Sequence, residues 1–437
     1  MIKIPKILLP NKNINMTKWS TIACDQYTSE LEYWKSVESE VENEPSTYHL
    51  MLPEIYLEEE DVDERIEKIN KTMDKYISDG IFEEKGPCII VVERSFPNAP
   101  TRTGMMLTLD LEDYDFHKDS TSLIRATEGT VEERIPPRMK IRENASIEMP
   151  HIMVLIDDPE KTVLEPLKEY AVNNLVPIYD FELMKDGGHI KGYEITDNEI
   201  IEKMKSSILR LADKEVFKNK YNTDVDVSPM LFAVGDGNHS LASAKCHWDN
   251  IKKGLSEEEK ANHPARFALC EIVNIHDQGI VFEPIHRVLF NVDTGYLLDE
   301  LQGYFMENAT IVNIPEDFDE SKAEKQEGVH TILFVSENEK GIIYIDEKVH
   351  TLATGALQPF LDRFLEYNED VKIDYIHGLD SLKQIGTRKG NIGFIFPNLD
   401  KRDFFTSIVK NGPMPRKTFS LGEANEKRYY LECRKIK

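Results

Sequence analysis

The sequence predicts a mixed α/β (α+β) fold, because amphipathic helical segments alternate with short β-branched and apolar runs of strand length. Apolar periodicity with charge on the opposite face predicts four early helices, at 29–42, 62–81, 160–173 and 197–220. Strand-like runs lie between and after them, at 87–96, 105–111, 151–156, 230–234, 265–275 and 280–290. The 437 residues exceed the roughly 250 to 300 that one hydrophobic core supports, so we expect two or three domains.

Composition shifts along the chain suggest three regions. We expect an N-terminal α/β region at 1–120, a motif-bearing domain at 121–314 and a C-terminal α+β region at 329–437. A charged stretch at 315–328 follows a strand at 309–314 and predicts a loop or boundary. The C-terminal region should contain a hairpin at 331–345 that turns at Glu339-Lys340-Gly341, helices at 356–367 and 401–409, and strands at 392–396 and 428–433.

The formal charge of −26 disfavours nucleic acid as a partner, because binding to phosphate backbones rests on clustered Lys and Arg. Five scattered cysteines, none in Cys-x-x-Cys spacing, disfavour a disulfide scaffold or a structural zinc site. Neither a signal-peptide core nor an apolar run of about 20 residues is visible, so we expect a cytoplasmic protein without membrane contact.

The segment Gly235-Asp-Gly-Asn-His-Ser240 is the strongest candidate for a chemical centre. A buried strand should precede it and a helix should begin at Leu241. Gly235 and Gly237 permit positive φ angles, and the amides and dipole of a helix N-terminus attract anions, so phosphate is the expected ligand. Asp236 is negative and fits that site if it holds Mg²⁺. The alternative is ordinary loop chemistry, with Asn238 or Ser240 capping the helix.

Further candidates for anion contact lie elsewhere in the chain. Asn238 and His239 have donors for phosphate oxygens, and His239 also suits proton transfer. Cationic and hydroxyl groups that suit phosphate or nucleotide are Arg125, Thr130, Arg138, Arg416 and Lys417. The alternatives are a solvated charged face around Arg125–Arg142 and a rigid connection at Gly412–Thr418. Glu128 is a candidate general base, and Cys24-Asp25 offers a carboxylate or nucleophile, although packing is the simpler interpretation.

Several motifs resemble the protein family named domain of unknown function 1015, and the resemblance runs nearly end to end. The segments that carry it are Ala23-Cys-Asp-Gln-Tyr-Thr28, Leu123-Ile-Arg-Ala-Thr-Glu-Gly-Thr130, Val234-Gly-Asp-Gly-Asn-His-Ser-Leu241, Glu283-Pro-Ile-His-Arg287 and Met414-Pro-Arg-Lys-Thr-Phe419. Two of these segments also resemble motifs of free serine kinases with a ParB/sulfiredoxin-like fold. The resemblance implies a ParB/sulfiredoxin-like core with large insertions and an additional C-terminal α+β region.

The resemblance also implies roles for individual residues. Glu128 would be the base, Asp236 a magnesium-binding or substrate-orienting carboxylate, and His239 a hydrogen-bond donor to phosphate. The chain departs from the related motifs at three positions, because Thr127 and Asn238 each replace a His, and Ser240 replaces an Arg.

We therefore predict a Mg²⁺-dependent phosphotransferase that moves a phosphoryl group between an adenine nucleotide, ATP or ADP, and serine or phosphoserine. A non-catalytic sensor of a phosphorylated metabolite and a metal-dependent phosphohydrolase are the alternatives. The sequence leaves the oligomeric state open.

Overall fold

The structure, a computed structural model, describes residues 1–97, 99–130, 135–223, 227–315, 318 and 326–437. The chain forms two compact units: unit 1 contains Met1–Val281 and Gly422–Lys437, and unit 2 contains Phe282–Leu421. The mixed α/β class is confirmed. The predicted boundary at 120/121 falls inside unit 1, because strands from both sides of it pair in one sheet. Most of the predicted boundary at 315–328 lies outside the described residues.

Unit 1 contains the predicted early helices and most of the predicted strands. Its described helices are α1 (Met16–Trp19), α2 (Leu31–Val41), α3 (Val62–Ser78), α4 (Ile135–Glu143), α5 (Leu164–Asn174), α6 (Asn198–Leu211), α7 (Lys214–Tyr221), α8 (Asn238–Ile251) and α9 (Glu257–Asn262). Its described strands are β1 (Ile2–Lys3), β2 (Lys6–Pro10), β3 (Thr21–Ile22), β4 (Phe82–Pro87), β5 (Ile89–Phe96), β6 (Ala99–Asp110), β7 (Tyr114–Asp115), β8 (Ile124–Ala126), β9 (Ile147–Glu148), β10 (Met153–Ile156), β11 (Tyr179–Glu182), β12 (His189–Ile195), β13 (Phe232–Asp236), β14 (Phe267–Asn274) and, near the C-terminus, β22 (Tyr429–Tyr430) and β23 (Arg434–Lys435).

One large sheet organises unit 1, in the order β11-β12-β5-β6-β14-β10-β13-β8-β7, with β1 paired to β6. Both faces of this sheet are buried. Along β5, Ile90 and Val92 belong to one hydrophobic core, and Ile89 and Val91 belong to a second. Because successive side chains of a strand point to opposite faces, the sheet separates these two cores.

The predicted helix at 197–220 is in fact two helices, α6 and α7. Asp213 lies between them, and its carboxylate accepts hydrogen bonds from the amides of Glu215 and Val216 at 3.0 and 3.1 Å. A side-chain acceptor that satisfies the first amides of a helix marks a new start. Residues 183–188 connect two antiparallel strands, β11 and β12.

Of the predicted strand at 428–433, only Tyr429–Tyr430 forms a strand, β22, which pairs with β3. Strand β23 begins one residue after the predicted range and pairs with β9. The segment is fixed by a buried ion network, in which Arg428 binds Glu271 at 2.6 Å and also binds Glu432. Arg94 donates to the backbone carbonyl of Lys427 at 3.2 Å. These contacts position the C-terminal segment against the large sheet of unit 1.

Unit 2 is a second α/β assembly. Its described strands are β15 (Phe282–Phe290), β16 (Ala309–Asn313), β17 (Val329–Ser336), β18 (Lys340–Asp346), β19 (Lys372–His377), β20 (Asn391–Ile395) and β21 (Phe419–Leu421). Its described helices are α10 (Thr294–Phe305), α11 (Ala353–Tyr367), α12 (Leu379–Gly386) and α13 (Lys401–Asn411). The sheet order is β16-β18-β17-β20-β15-β19, with β21 paired to β15.

The predicted hairpin in unit 2 is formed by β17 and β18. Its turn precedes Lys340, so two of the three residues assigned to the turn belong to a strand instead. A Cβ on Gly341 would lie 2.5 Å from the Phe334 ring and from the Val312 carbonyl oxygen, so this glycine serves close strand packing rather than the turn. In the part of the chain that the structure describes, no helix is long and apolar enough to cross a membrane.

Candidate active site

The predicted strand, turn and helix around Asp236 are present. Strand β13 ends at Asp236, Gly237 has a φ of 77°, and α8 begins at Asn238. Only glycine adopts that φ without strain, and a Cβ there would also lie 3.1 Å from the Cα of Ile152. The helix therefore begins three residues earlier than predicted. Its N-cap is Gly237, so neither Asn238 nor Ser240 caps it, and both belong to its first turn.

The two motifs that carry the kinase resemblance meet at the ends of neighbouring strands. Strands β8 and β13 are parallel, with Ala126 opposite Val234. The Thr127 hydroxyl donates to the Val234 carbonyl at 2.6 Å, and the Thr127 amide donates to Asn238 Oδ1 at 3.2 Å. Asn238 Nδ2 donates back to Thr127 Oγ1 at 3.2 Å. Thr127 and Asn238, two of the three positions that depart from the related motifs, thus bind each other. The half-buried Glu128 is the next residue after Thr127.

The carboxylate of Asp236 is half-buried and has a cationic partner from the C-terminal segment. Its Oδ2 lies 3.3 Å from Lys427 Nζ, and its Oδ1 accepts from the Gly237 amide at 2.9 Å. Lys427 lies far from Asp236 in sequence and no local pattern marks it, so sequence reasoning missed it. Its neighbour Arg428 in the buried ion network holds it in place.

A second polar group lies beside Ser240. His151 Nε2 is 3.2 Å from Ser240 Oγ and 3.7 Å from Asp25 Oδ2, and His151 Nδ1 is 2.9 Å from the Tyr430 hydroxyl. Burial opposes ionisation of Asp25, but His151, a hydrogen bond from Gln26 and the charge of Lys427 together lower its pKa. Asp25 is therefore an anion that shares Lys427 electrostatically with Asp236.

Arg138 is the predicted cation that the structure brings closest to this second group. It lies on α4 and forms an ion pair with Glu54, whose amide donates to the Cys24 carbonyl at 2.8 Å. Burial raises the pKa of Glu54, while Arg138 opposes that rise. The positive charge of Arg138 also acts on Asp25, so it contributes to the charge balance around the cluster.

The thiol of Cys24 is not an activated nucleophile. Burial, together with the charges of Asp25 and Glu54, raises its pKa to about 12, so it stays protonated. The Tyr430 hydroxyl donates to its sulfur at 3.1 Å. The packing interpretation of Cys24 is therefore the better one, whereas Asp25 joins the polar cluster.

Other predicted residues have different surroundings. Arg125 is buried, which lowers the pKa of its guanidinium, and it donates to the carbonyls of Ser122 and Ser228 at 2.8 Å each. Thr130 has a buried hydroxyl without a hydrogen-bond partner among the described residues. Arg416 and Lys417 belong to unit 2. There the carbonyl of Arg416 accepts from Arg287 at 3.4 Å, and Lys417 Nζ lies 5.7 Å from the Tyr375 ring centroid.

Among the described residues, no group of three or more His, Cys, Asp or Glu side chains is arranged to hold a metal ion. Asp236 is thus a single carboxylate, half-buried at the edge of the sheet. Mg²⁺ is commonly bound by one or two carboxylates together with substrate phosphates and water. The donor set fits Mg²⁺ only when a phosphate ligand completes the coordination.

The comparisons with known proteins agree with the motif resemblance. The model of a family described as "Protein of unknown function (DUF1015)" matches residues 8–364. No curated protein matches the sequence significantly. Similar solved structures include a conserved hypothetical protein from Pyrococcus furiosus, with 12% identity, 75% of this chain and 90% of that chain covered, and a TM-score of 0.34.

Two further similar structures have more specific descriptions. A free serine kinase in complex with AMP has 13% identity, 76% of this chain and 91% of that chain covered, and a TM-score of 0.36. SbnI with a C-terminal truncation, from Staphylococcus aureus, has 10% identity, 72% and 82% coverage, and a TM-score of 0.35. At these identities and scores the likeness carries no inference about the chemistry of this chain.

Proposed function

This chain belongs to the DUF1015 family of proteins of unknown function, and we propose that it transfers a phosphoryl group between an adenine nucleotide and serine or phosphoserine. The observation that carries the proposal is the hydrogen-bonded bridge between Thr127 and Asn238. It fastens the strand end that precedes Glu128 to the turn that contains Asp236. Both motifs that resemble those of free serine kinases are thereby held at one edge of the sheet.

The proposed roles follow from the chemistry of each group. Glu128 accepts the proton of the serine hydroxyl as that oxygen attacks phosphorus, or returns it in the reverse direction. The backbone of Gly235 and Gly237, the first-turn amides of α8 and the side chain of His239 face the transferred phosphate. Phosphoryl transfer asks little covalent chemistry of a protein beyond positioning and charge neutralisation, so this small set of groups suffices.

Charge balance is the second support for the proposal. Lys427 lies beside Asp236, and Arg138 acts on Asp25 close by. These cations take the place of the Arg that related motifs carry at the position of Ser240. Mg²⁺ bound together with the nucleotide would be held by Asp236 and would neutralise phosphate charge.

The test is turnover of the full-length chain with serine plus ATP or ADP, and with phosphoserine plus ADP, each with Mg²⁺. Glu128→Gln should lower the rate by about 100-fold to 10,000-fold, the usual contribution of a general base. Asp236→Asn should reduce turnover and weaken its dependence on Mg²⁺. The matched control is Glu143→Gln, an exposed carboxylate on α4, which should leave the rate unchanged.

Three outcomes would contradict the proposal. Equal rates in Glu128→Gln and in the wild type would remove Glu128 from the reaction. Nucleotide or phosphoserine binding in calorimetry without any product would favour a sensor. Release of inorganic phosphate without transfer to serine would favour a phosphohydrolase.

A further inference from the structure

Ser240 is the one departure from the related motifs that the Thr127–Asn238 bridge leaves unexplained. Its hydroxyl is half-buried in the first turn of α8 and lies 3.2 Å from His151 Nε2. A hydroxyl within hydrogen-bond distance of an imidazole, with the imidazole oriented by a third group, is the arrangement that activates a serine nucleophile. The third group here is Tyr430, 2.9 Å from His151 Nδ1.

The hydrogen bonds around Tyr430 determine which nitrogen of His151 carries the proton. The Tyr430 hydroxyl donates to Cys24 Sγ, and its oxygen accepts from the Cys24 amide at 3.3 Å. Burial raises the pKa of Tyr430 above its usual value, so this hydroxyl keeps its proton. With that proton directed to the sulfur, Tyr430 accepts from Nδ1–H of His151. Nε2 is left as the acceptor, and it faces Ser240.

Opposite charge is available for the imidazolium that proton transfer would create. The Asp25 carboxylate lies 3.7 Å from His151 Nε2. Burial opposes its ionisation, but positive charge on His151 lowers its pKa, so the carboxylate and the imidazolium stabilise each other. Ser240 lies in the first turn of α8, whose amides attract an anion, and the ammonium group of Lys427 lies 3.3 Å from Asp236 just before that turn. Asp25 therefore supplies negative charge beside the imidazole of His151, and the α8 amides and Lys427 supply positive charge near Ser240.

We propose that Ser240 accepts a phosphoryl group from a nucleoside triphosphate, with His151 as the general base. Ser240 Oγ forms a bond to the γ-phosphorus, the bond from that phosphorus to the β,γ-bridging oxygen breaks, and the nucleoside diphosphate leaves. The Oγ proton moves to His151 Nε2, and the product is phosphoserine at position 240. The inference rests on the proposed function only for the identity of the phosphoryl donor.

The experiment incubates the full-length chain with Mg²⁺ and γ-labelled ATP, without serine, and locates the label by peptide mass spectrometry. The wild type should carry phosphate at Ser240. Ser240→Ala should carry none there, and His151→Asn should be labelled about 100-fold more slowly. Ser243→Ala is the matched control, because Ser243 lies one turn further along α8 and its hydroxyl donates to the His239 carbonyl at 2.7 Å. It should be labelled like the wild type.

Tyr430→Phe tests the orienting role separately, since it removes the partner of His151 Nδ1 but keeps the ring. Labelling should slow while the affinity for ATP, measured by calorimetry, stays the same. Circular dichroism of each variant identifies any that fails to fold.

Wild-type chain without phosphoserine at position 240, or unchanged labelling in folded His151→Asn, would overturn the inference. Parallel serine assays separate the two proposals. Phosphorylation of free serine by a wild-type chain that carries no phosphate at Ser240 would leave the proposed function standing and overturn the inference. Label at Ser240 without any phosphorylation of free serine would support the inference and contradict the proposed function.

Discussion

Family motifs contribute to both units, but the residues they supply have different surroundings. In unit 1 the motifs contribute partly exposed carboxylates, with Asp25 at 26% and Asp236 at 23% side-chain exposure. In unit 2 they centre on Arg287, which is fully buried at 0% exposure and donates to Gln358 Oε1 at 3.0 Å and to the Arg416 carbonyl at 3.4 Å. A ligand can reach the first set, whereas Arg287 holds its own unit together. Membership in a family motif therefore does not by itself mark a chemical role.

The largest effect should come from the ion network behind the unit 1 cluster. Arg428→Met leaves the buried Glu432 without its cation and leaves Glu271 with only the longer ion pair to Arg102, at 3.9 Å. Breaking such a network costs about 3 to 5 kcal/mol of unfolding free energy. All three tryptophans, Trp19, Trp34 and Trp248, belong to unit 1, so tryptophan fluorescence in urea reports the change directly. A loss below about 1 kcal/mol would mean that water reaches these carboxylates.

Acidification should destabilise both units through one buried histidine in each. Burial, as the largest cause, lowers the pKa of His247 and of His286 to about 4 from an ordinary 6.5. Below pH 6.5 the two histidines bind protons in the unfolded chain but stay neutral in the folded chain. Their contribution to the free energy of unfolding is therefore fully present above pH 6.5 and is lost progressively toward pH 4. At pH 4.5 each histidine should account for about 2 to 3 kcal/mol.

Unfolding at pH 7 and pH 4.5 measures this acid effect, with tryptophan fluorescence for His247→Gln and circular dichroism for His286→Gln. Each variant should lose less stability on acidification than the wild type. An unchanged pH dependence in either variant would show that its histidine is already protonated in the folded chain.

Arg287→Met tests the supporting role assigned to unit 2. The hydrogen bonds to Gln358, to the Ile285 carbonyl and to the Arg416 carbonyl are lost, and the acceptors on Gln358 and Ile285 stay behind buried. Unfolding should therefore become easier by about 1 to 3 kcal/mol. Circular dichroism follows the transition. The affinity for nucleotide, measured by calorimetry, should be unchanged in the folded variant. A variant of full stability that no longer binds nucleotide would show that Arg287 acts in binding, as proposed for the unit 1 motif residues.

The smallest effect should come from the bridge between the unit 1 motifs. Thr127→Val keeps the shape of the side chain but removes its hydrogen bonds to Val234 and Asn238, which should cost about 1 kcal/mol. Fluorescence in urea detects the shift. Thr72→Val is the control, because Thr72 also lies in unit 1 and its hydroxyl donates to the Lys68 carbonyl of its own helix, α3, at 2.7 Å. If both variants shift alike, the bridge adds nothing beyond an ordinary threonine.

Sequence reasoning found the local parts of the fold and some of the site. Helices α2 and α3, strands β5 and β13 and the turn at Gly237 were predicted to within a few residues, because periodicity and glycine are local signals. The break at Asp213 was missed, and the C-terminal strand was predicted too long. The Asp213 side chain accepts hydrogen bonds from the first amides of α7 and so starts a new helix. Strands β22 and β23 pair with two different strands, β3 and β9, which are distant in sequence. The roles of Glu128 and His239 stay predictions.

The amino-acid sequence by itself determined the mixed α/β class, the elements and the strand–turn–helix that presents Asp236. Only the tertiary structure decided which side chains surround that turn. The order of strands in the sheet brings Thr127 beside Asn238, and a buried ion network brings Lys427 to Asp236 and Tyr430 to His151. Such contacts join residues more than a hundred positions apart, and a pattern that extends over a few residues carries no signal for them.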